Sequence, residues 1–83
     1  MRLDKFLKVS RLIKRRTVAN EICSAGRVVL NGRIVKPGSE VNPGDILDIR
    51  FGSGHTRVRV LDVRSTVRKE EAAELYEMLT DET

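Results

Sequence analysis

The fold is decided by residues 17–35, which read TVANEICSAGRVVLNGRIV. The first half of this stretch predicts a helix, because its apolar residues recur at helical spacing. These residues are Val18, Ala19, Ile22 and Cys23. Thr17 is a suitable N-cap, and Gly26 a natural end, since glycine accepts the left-handed backbone of a C-terminal cap. The second half predicts a hairpin, because Asn31-Gly32 favours a type I′ turn between apolar runs.

The residues before this stretch predict a shorter helix and a basic connection. Leu3, Phe6 and Leu7 follow the spacing of one helical face. Residues 11–16 connect this helix to the next one and contain four basic side chains. Because Arg16 directly precedes the expected N-cap, its guanidinium should lie beside the free amides of the second helix, which favour an anion.

The residues after the hairpin predict further strands. Residues 45–51 alternate, so Leu47, Ile49 and Phe51 should share one face, and the segment 52–54 should form a turn. Residues 56–63 predict another strand, whose alternation slips at residues 61–63 and indicates a bulge or the end of the strand.

The last part of the chain predicts a helix at residues 68–79. Its apolar stripe consists of Ala72, Leu75, Tyr76 and Leu79. The predicted fold class is α+β, with two short helices packed on a small antiparallel sheet and a C-terminal helix. We expect a single domain at residues 1–64 and a C-terminal helical extension at residues 65–83.

The charge distribution is uneven along the chain. Residues 1–36 hold ten basic and two acidic residues, a net charge of +8, whereas residues 37–83 hold six basic and ten acidic residues, a net charge of −4. Ordinary surfaces mix the two signs. This asymmetry favours a polyanionic partner and one defined binding face, because lysine and arginine neutralise phosphates and release counterions.

Structured RNA is the polyanion that the sequence favours. No predicted helix has the polar pattern of a major-groove reader, which argues against sequence-specific DNA binding. Aromatic residues make up 4% of the chain, too few for a platform on which single-stranded bases stack. Recognition of shape and phosphates in folded RNA remains.

Residues 1–36 also match a known family. The run RLDKFL at residues 2–7, the basic residues 11–16, Thr17, Ala19, Gly26, Val28 and Asn31-Gly32 resemble the S-four RNA-binding domain. The likeness continues through Val41 and residues 43–45. Over the whole chain, RLDKFLKVSRLIKRRTVAN at residues 2–20 and KEEAAELYEML at residues 69–79 resemble the RqcP family of short bacterial proteins, to which ribosome-associated heat-shock proteins are related.

This resemblance implies a role in ribosome-associated quality control. The expected partners are ribosomal RNA and peptidyl transfer RNA on an obstructed large ribosomal subunit, where C-terminal tails are added, together with a quality-control protein. The implied RNA-binding residues are Arg2, Lys5, Lys8, Arg11, Lys14, Arg15, Arg16 and Arg27, with Arg33 and Lys36 as weaker candidates. Asp4 either orients a neighbouring arginine or serves only as a carboxylate at the start of a helix.

The alternatives are an enzyme and a general RNA-binding protein. His55 is expected to be a solvated loop histidine, and Cys23 a small buried apolar residue. We therefore expect no catalytic residue, no metal site and no cofactor. We also expect a cytoplasmic monomer without membrane contact. A general structured-RNA-binding protein or a heat-shock ribosome-recycling factor, neither with a tailing role, remains the alternative function.

Overall fold

The computed structural model describes residues 1–51 and 53–79, apart from the side chain of Phe51. The predictions for the Phe51 side chain, for Gly52 and for residues 80–83 lie outside the described residues. The described chain forms α1 (Leu3–Val9), α2 (Arg16–Ser24), β1 (Val28–Leu30), β2 (Arg33–Ile34), β3 (Ile46–Phe51), β4 (Gly54–Val60), a 3-10 helix (Lys69–Leu75) and β5 (Tyr76–Met78). The strands form one antiparallel sheet in the order β2-β1-β3-β4-β5. This architecture confirms the α+β fold class.

Helix α2 begins two residues before its predicted start. The N-cap is Arg15, whose backbone is extended (φ −124°, ψ 137°), so the prediction of Thr17 as N-cap is wrong. The Arg15 carbonyl already accepts the Ala19 amide at 3.0 Å, which closes the first turn. At the other end Gly26 has a φ of +76°, which confirms it as the residue where the helix stops.

The predicted hairpin joins β1 and β2. Asn31 and Gly32 have φ values of +50° and +86°, the two positive values that a type I′ turn needs. The Asn31 side chain has a second role that the turn signal does not indicate. Its Oδ1 accepts the Ile46 amide at 2.8 Å, and its Nδ2 donates to Asp45 Oδ1 at 3.0 Å. These two hydrogen bonds therefore hold the turn against the start of β3.

The core lies between the two α-helices and one face of the sheet. Leu47 and Ile49 of β3 and Val58 and Val60 of β4 are buried there, as their alternation predicts. Helix α1 contributes its apolar face, which consists of Leu3, Phe6 and Leu7. Strand β4 ends at Val60, which explains why the alternation slips at residues 61–63.

The C-terminal segment differs from the predicted helix. A 3-10 helix ends at Leu75, and Tyr76–Met78 form the edge strand β5 paired with β4. Pairing satisfies backbone groups of β4 that would otherwise form an open sheet edge. The stabilisation from this pairing exceeds the preference for a helix that the spacing of the apolar residues indicates. Leu75 is fully buried in the common core. The division of the chain after residue 64 stays a prediction.

Candidate nucleic-acid interface

The candidate site is organised around a buried carboxylate in the first turn of α1. Asp4 is 3% exposed. Its Oδ1 accepts hydrogen bonds from Arg2 Nε at 3.1 Å and from the Lys5 amide at 2.8 Å, and lies 3.5 Å from Arg16 Nη2. Its Oδ2 accepts from Arg2 Nη2 at 3.3 Å and from Asn20 Nδ2 at 3.4 Å. Asp4 therefore joins the start of α1 to the first turns of α2.

This environment lowers the pKa of Asp4 below its ordinary value of 3.8. Burial is the largest single influence and raises the pKa, because it disfavours the charged form. The hydrogen bonds from Arg2 and Asn20 and the charges of Arg16 and Arg2 act in the opposite direction and together outweigh burial. Asp4 is therefore a carboxylate at neutral pH.

The two arginines at Asp4 remain half open to solvent. Their side chains are 56% exposed for Arg2 and 49% for Arg16. A guanidinium has five N–H donors, so one edge can bind the carboxylate while other donors reach a phosphate. The contacts have the geometry that an orienting role of Asp4 requires, and that role stays a prediction.

Asn20 is the residue of this cluster that the sequence analysis missed. It follows Arg16 by four positions on α2, so both side chains lie on one face of that helix. This spacing was the available signal, but an exposed asparagine in a helix does not by itself indicate a partner on another helix.

Arg16 does not take its expected position. The sequence predicted its guanidinium beside free amides that follow Thr17, whereas Arg16 is itself the first residue of α2 and its side chain contacts Asp4. The buried carboxylate attracts the guanidinium toward α1.

The other eight cations of residues 1–36 form no ion pair within the described part of the chain. Seven of them are exposed and Lys5 is half-buried. They are Lys5, Lys8, Arg11, Lys14, Arg15, Arg27, Arg33 and Lys36. Because no carboxylate neutralises them directly, their charge faces the solvent.

The structure places the predicted residues in several different surroundings. Arg2 and Arg16 meet at Asp4, while Lys8 and Arg11 line a separate cleft. Arg27 lies at the sheet, where its carbonyl accepts the Arg50 amide at 2.9 Å. Arg33 and Lys36 follow along and after β2, and Lys36 lines a cavity beside the last turn of α2.

The two residues considered for chemistry, Cys23 and His55, lie in different surroundings. Cys23 is buried, as predicted, and burial followed by the charge of Asp4 raises its pKa to about 11, so the thiol is protonated. His55 lies in β4, not in a loop as predicted, and its Nδ1 is 2.9 Å from Asp48 Oδ1. The antiparallel register pairs Arg50 with His55, which brings the histidine within reach of Asp48.

Neither a metal cluster nor a membrane span is present in residues 1–51 and 53–79. These residues contain no group of three or more histidine, cysteine or acidic side chains that could hold a metal ion. They also contain no helix of sufficient length and hydropathy to cross a membrane.

Comparisons with known proteins agree with this architecture. Residues 1–47 match the S4 domain, which is the S-four domain of the sequence analysis. A protein of Halalkalibacterium halodurans, named RQC P-site tRNA stabilizing factor, is 57% identical over 99% of this chain and 93% of its own length. The protein of that name from Bacillus subtilis is 54% identical over 99% of this chain and 95% of its own length. The trimeric structure of Vibrio cholerae heat shock protein 15 superposes with a TM-score of 0.88 at 30% identity, covering 95% of this chain and 81% of the other. The chain therefore belongs to the S4 domain family, together with the relatives named RQC P-site tRNA stabilizing factor.

Proposed function

We propose that this protein binds ribosomal RNA and peptidyl transfer RNA on an obstructed large ribosomal subunit and supports nascent-chain tailing there. The observation that carries the proposal is the uncompensated positive charge of residues 1–36. Eight of their ten cations have no ion pair among the described residues, and the other two share one carboxylate. Such a surface is suited to the phosphates of folded RNA.

The names of two relatives support a role at a P-site transfer RNA. Two proteins that align with nearly the whole chain are named for stabilizing a P-site tRNA in quality control. The proposed role is therefore to hold transfer RNA and ribosomal RNA together in the cytoplasm, alongside a quality-control protein on the same particle. The role includes no chemical step of its own, in keeping with the protonated thiol of Cys23.

The alternative is a heat-shock factor that recycles ribosomes without a tailing role. It is favoured by the close superposition on heat shock protein 15. Both roles use an S4 domain on RNA, so RNA binding alone does not separate them. The Vibrio cholerae protein is trimeric in its structure, whereas we propose that this chain acts as a monomer.

A binding experiment on defined particles tests the proposal. The full-length protein is sedimented with purified large subunits, either bare or carrying peptidyl transfer RNA, and the contacted nucleotides are identified by crosslinking and sequencing. We expect tighter binding to the loaded particle and crosslinks to both RNAs. Affinity should fall with salt with a log–log slope of about −3 to −5, as for roughly five neutralised phosphates. Equal binding to bare subunits and unrelated structured RNA would favour the general RNA-binding function.

A further inference from the structure

A cleft outside the Asp4 cluster brings the end of α1 against a distant part of the chain. It has a volume of about 260 Å³. One wall consists of Lys8, Val9 and Arg11, and the other consists of residues 65–67, which are Ser65, Thr66 and Val67. The second wall lies beyond residues 1–47, the part that matches the S4 domain.

The lining of this cleft favours an anion. It contains two cations and two hydroxyl groups and no carboxylate. Lys8 and Arg11 are exposed and form no ion pair within the described chain. None of the acids near the second wall in sequence lines the cleft. Asp62 and Glu74 both bind Arg64, at 2.7 and 3.5 Å, and Glu71 accepts the Arg68 amide at 3.0 Å. They therefore do not neutralise the cleft.

Residues 65–67 supply neutral donors to the same space. Their backbone amides donate no hydrogen bond within residues 1–51 and 53–79, and neither hydroxyl has a partner there. Consecutive unpaired amides beside cations are a recurring feature of phosphate sites, because N–H dipoles add to the charge without adding repulsion.

The backbone of Arg11 provides an independent indication. Arg11 has a φ of +63° just after the C-cap of α1, where its amide donates to the Lys8 carbonyl at 3.0 Å. Glycine is the favoured residue at this left-handed position, since a Cβ atom is strained there. A strained residue whose side chain lines a cleft suggests that the side chain has a function.

We propose that this cleft binds a backbone phosphate of the RNA, with Lys8 and Arg11 supplying charge and residues 65–67 supplying amide and hydroxyl donors. The proposal rests on the proposed function and extends the RNA-binding surface to the segment after β4. The phosphate belongs to ribosomal RNA or to transfer RNA, which share this chemistry. Bare large subunits and purified transfer RNA, used as separate probes, distinguish these two sources.

The first test adds a negative charge to each of two exposed hydroxyl positions. Thr66→Glu places a carboxylate in the cleft, whereas Ser53→Glu places one in the exposed turn before β4. Repulsion of a phosphate should lower the affinity of Thr66→Glu for at least one probe by about tenfold, and Ser53→Glu should stay within about twofold. Equal effects of the two variants would overturn the proposal.

The second test uses Arg11→Gly, whose two effects have opposite directions. Glycine relieves the left-handed strain, so the melting temperature should rise by a few degrees. Loss of the guanidinium should lower RNA affinity by about fivefold and make the salt slope less negative by about 1. Arg57→Gln, an exposed charge on β4, is the control for the long-range field. A stabilised Arg11→Gly protein with wild-type affinity and slope would show that the cleft holds no phosphate.

The two tests distinguish a failure of the cleft proposal from a failure of the proposed function. If the wild-type protein and both tested variants bind RNA equally well, the proposed function stands and the cleft proposal falls. If the wild-type protein binds neither probe and also fails to bind large subunits carrying peptidyl transfer RNA, both fall together.

Discussion

The ten cations of residues 1–36 and the six of residues 37–79 lie in different surroundings. In the second region two of the six cations form ion pairs, since Arg59 binds Glu77 at 2.6 Å and Arg64 binds both Asp62 and Glu74. The other four, Arg50, Arg57, Arg68 and Lys69, have no ion pair among the described residues. In the first region a single buried carboxylate serves two arginines, and the other cations have no ion pair within the described chain. Among the described residues, the first region thus combines eight unpaired cations with two acids, whereas residues 37–79 combine four unpaired cations with eight acids. The excess of positive charge that can attract a polyanion is therefore confined to the first region.

The acids also differ in what they do for the fold. Glu77 is half exposed, and its ion pair with Arg59 is of the kind that contributes little to stability. Asp4 is almost fully buried and joins two helices through Arg2, Arg16 and Asn20. Its loss would leave half-exposed guanidiniums without the group that positions them.

The largest effect should come from comparing one arginine of each region in RNA binding. Arg16 and Arg59 are matched, since their side chains are 49% and 47% exposed and each contacts one carboxylate. Arg16→Ala should weaken binding to large subunits carrying peptidyl transfer RNA by about 1–3 kcal/mol, the scale of a lost charge-assisted hydrogen-bond pair. Arg59→Ala should cost only a few tenths of a kcal/mol at physiological salt.

Co-sedimentation measures both affinities, and circular-dichroism melts establish that both variants fold. Similar losses for the two variants would mean that diffuse charge, and not the arrangement at Asp4, governs binding. A larger loss for Arg59→Ala would move the binding face to the second region.

The second comparison concerns stability and uses one acid from each region. Asp4→Asn removes the charge that binds Arg2 and Arg16, and should lower the free energy of unfolding by about 1–2 kcal/mol. Glu77→Gln breaks only an exposed pair and should cost at most about 0.5 kcal/mol. Urea denaturation followed by circular dichroism measures both. If Glu77→Gln were the more destabilising change, the contacts of Asp4 with Arg2, Arg16 and Asn20 would not be important for the stability of the fold.

Short-range signals in the sequence predicted a large part of the fold. Asn31-Gly32 and Gly26 were reliable because each position requires a positive φ that few residues accept. Alternation likewise placed Leu47 and Ile49 in the core. The segment 76–78 was assigned wrongly because its spacing suits a helix, whereas its strand is stabilised by pairing with β4, a contact distant in the sequence.

The site was only partly predictable for the same reason. Composition showed that the cations are concentrated in residues 1–36, but not which of them meet. Asn20 and the contact of Arg16 with Asp4 depend on how α1 packs against α2. The cleft formed by Lys8, Arg11 and residues 65–67 joins parts of the chain more than fifty positions apart, which no local pattern indicates.

The smallest effect should appear in the pH dependence of stability. Because the folded-state pKa of Asp4 is lowered, its ionised form stabilises the folded protein. This contribution is fully present above the ordinary pKa of 3.8 and is lost as the pH falls through the lower folded-state pKa. The stability difference between the wild type and Asp4→Asn should therefore be widest above about pH 5 and should narrow in more acidic solution. Urea denaturation at a series of pH values measures this difference. The part of the stability difference that is lost on acidification should be smaller than the whole stability loss of Asp4→Asn at neutral pH. The hydrogen bond from Arg64, followed by that from the Val63 amide, lowers the pKa of Asp62 as well. The stability difference between the wild type and Asp62→Asn should therefore also narrow in acidic solution. At neutral pH it should be smaller than the difference for Asp4→Asn, since the Asp62 and Arg64 side chains are 44% and 40% exposed. A difference for Asp4→Asn that stays constant or grows on acidification would show that the Asp4 carboxylate does not stabilise the fold through its charge.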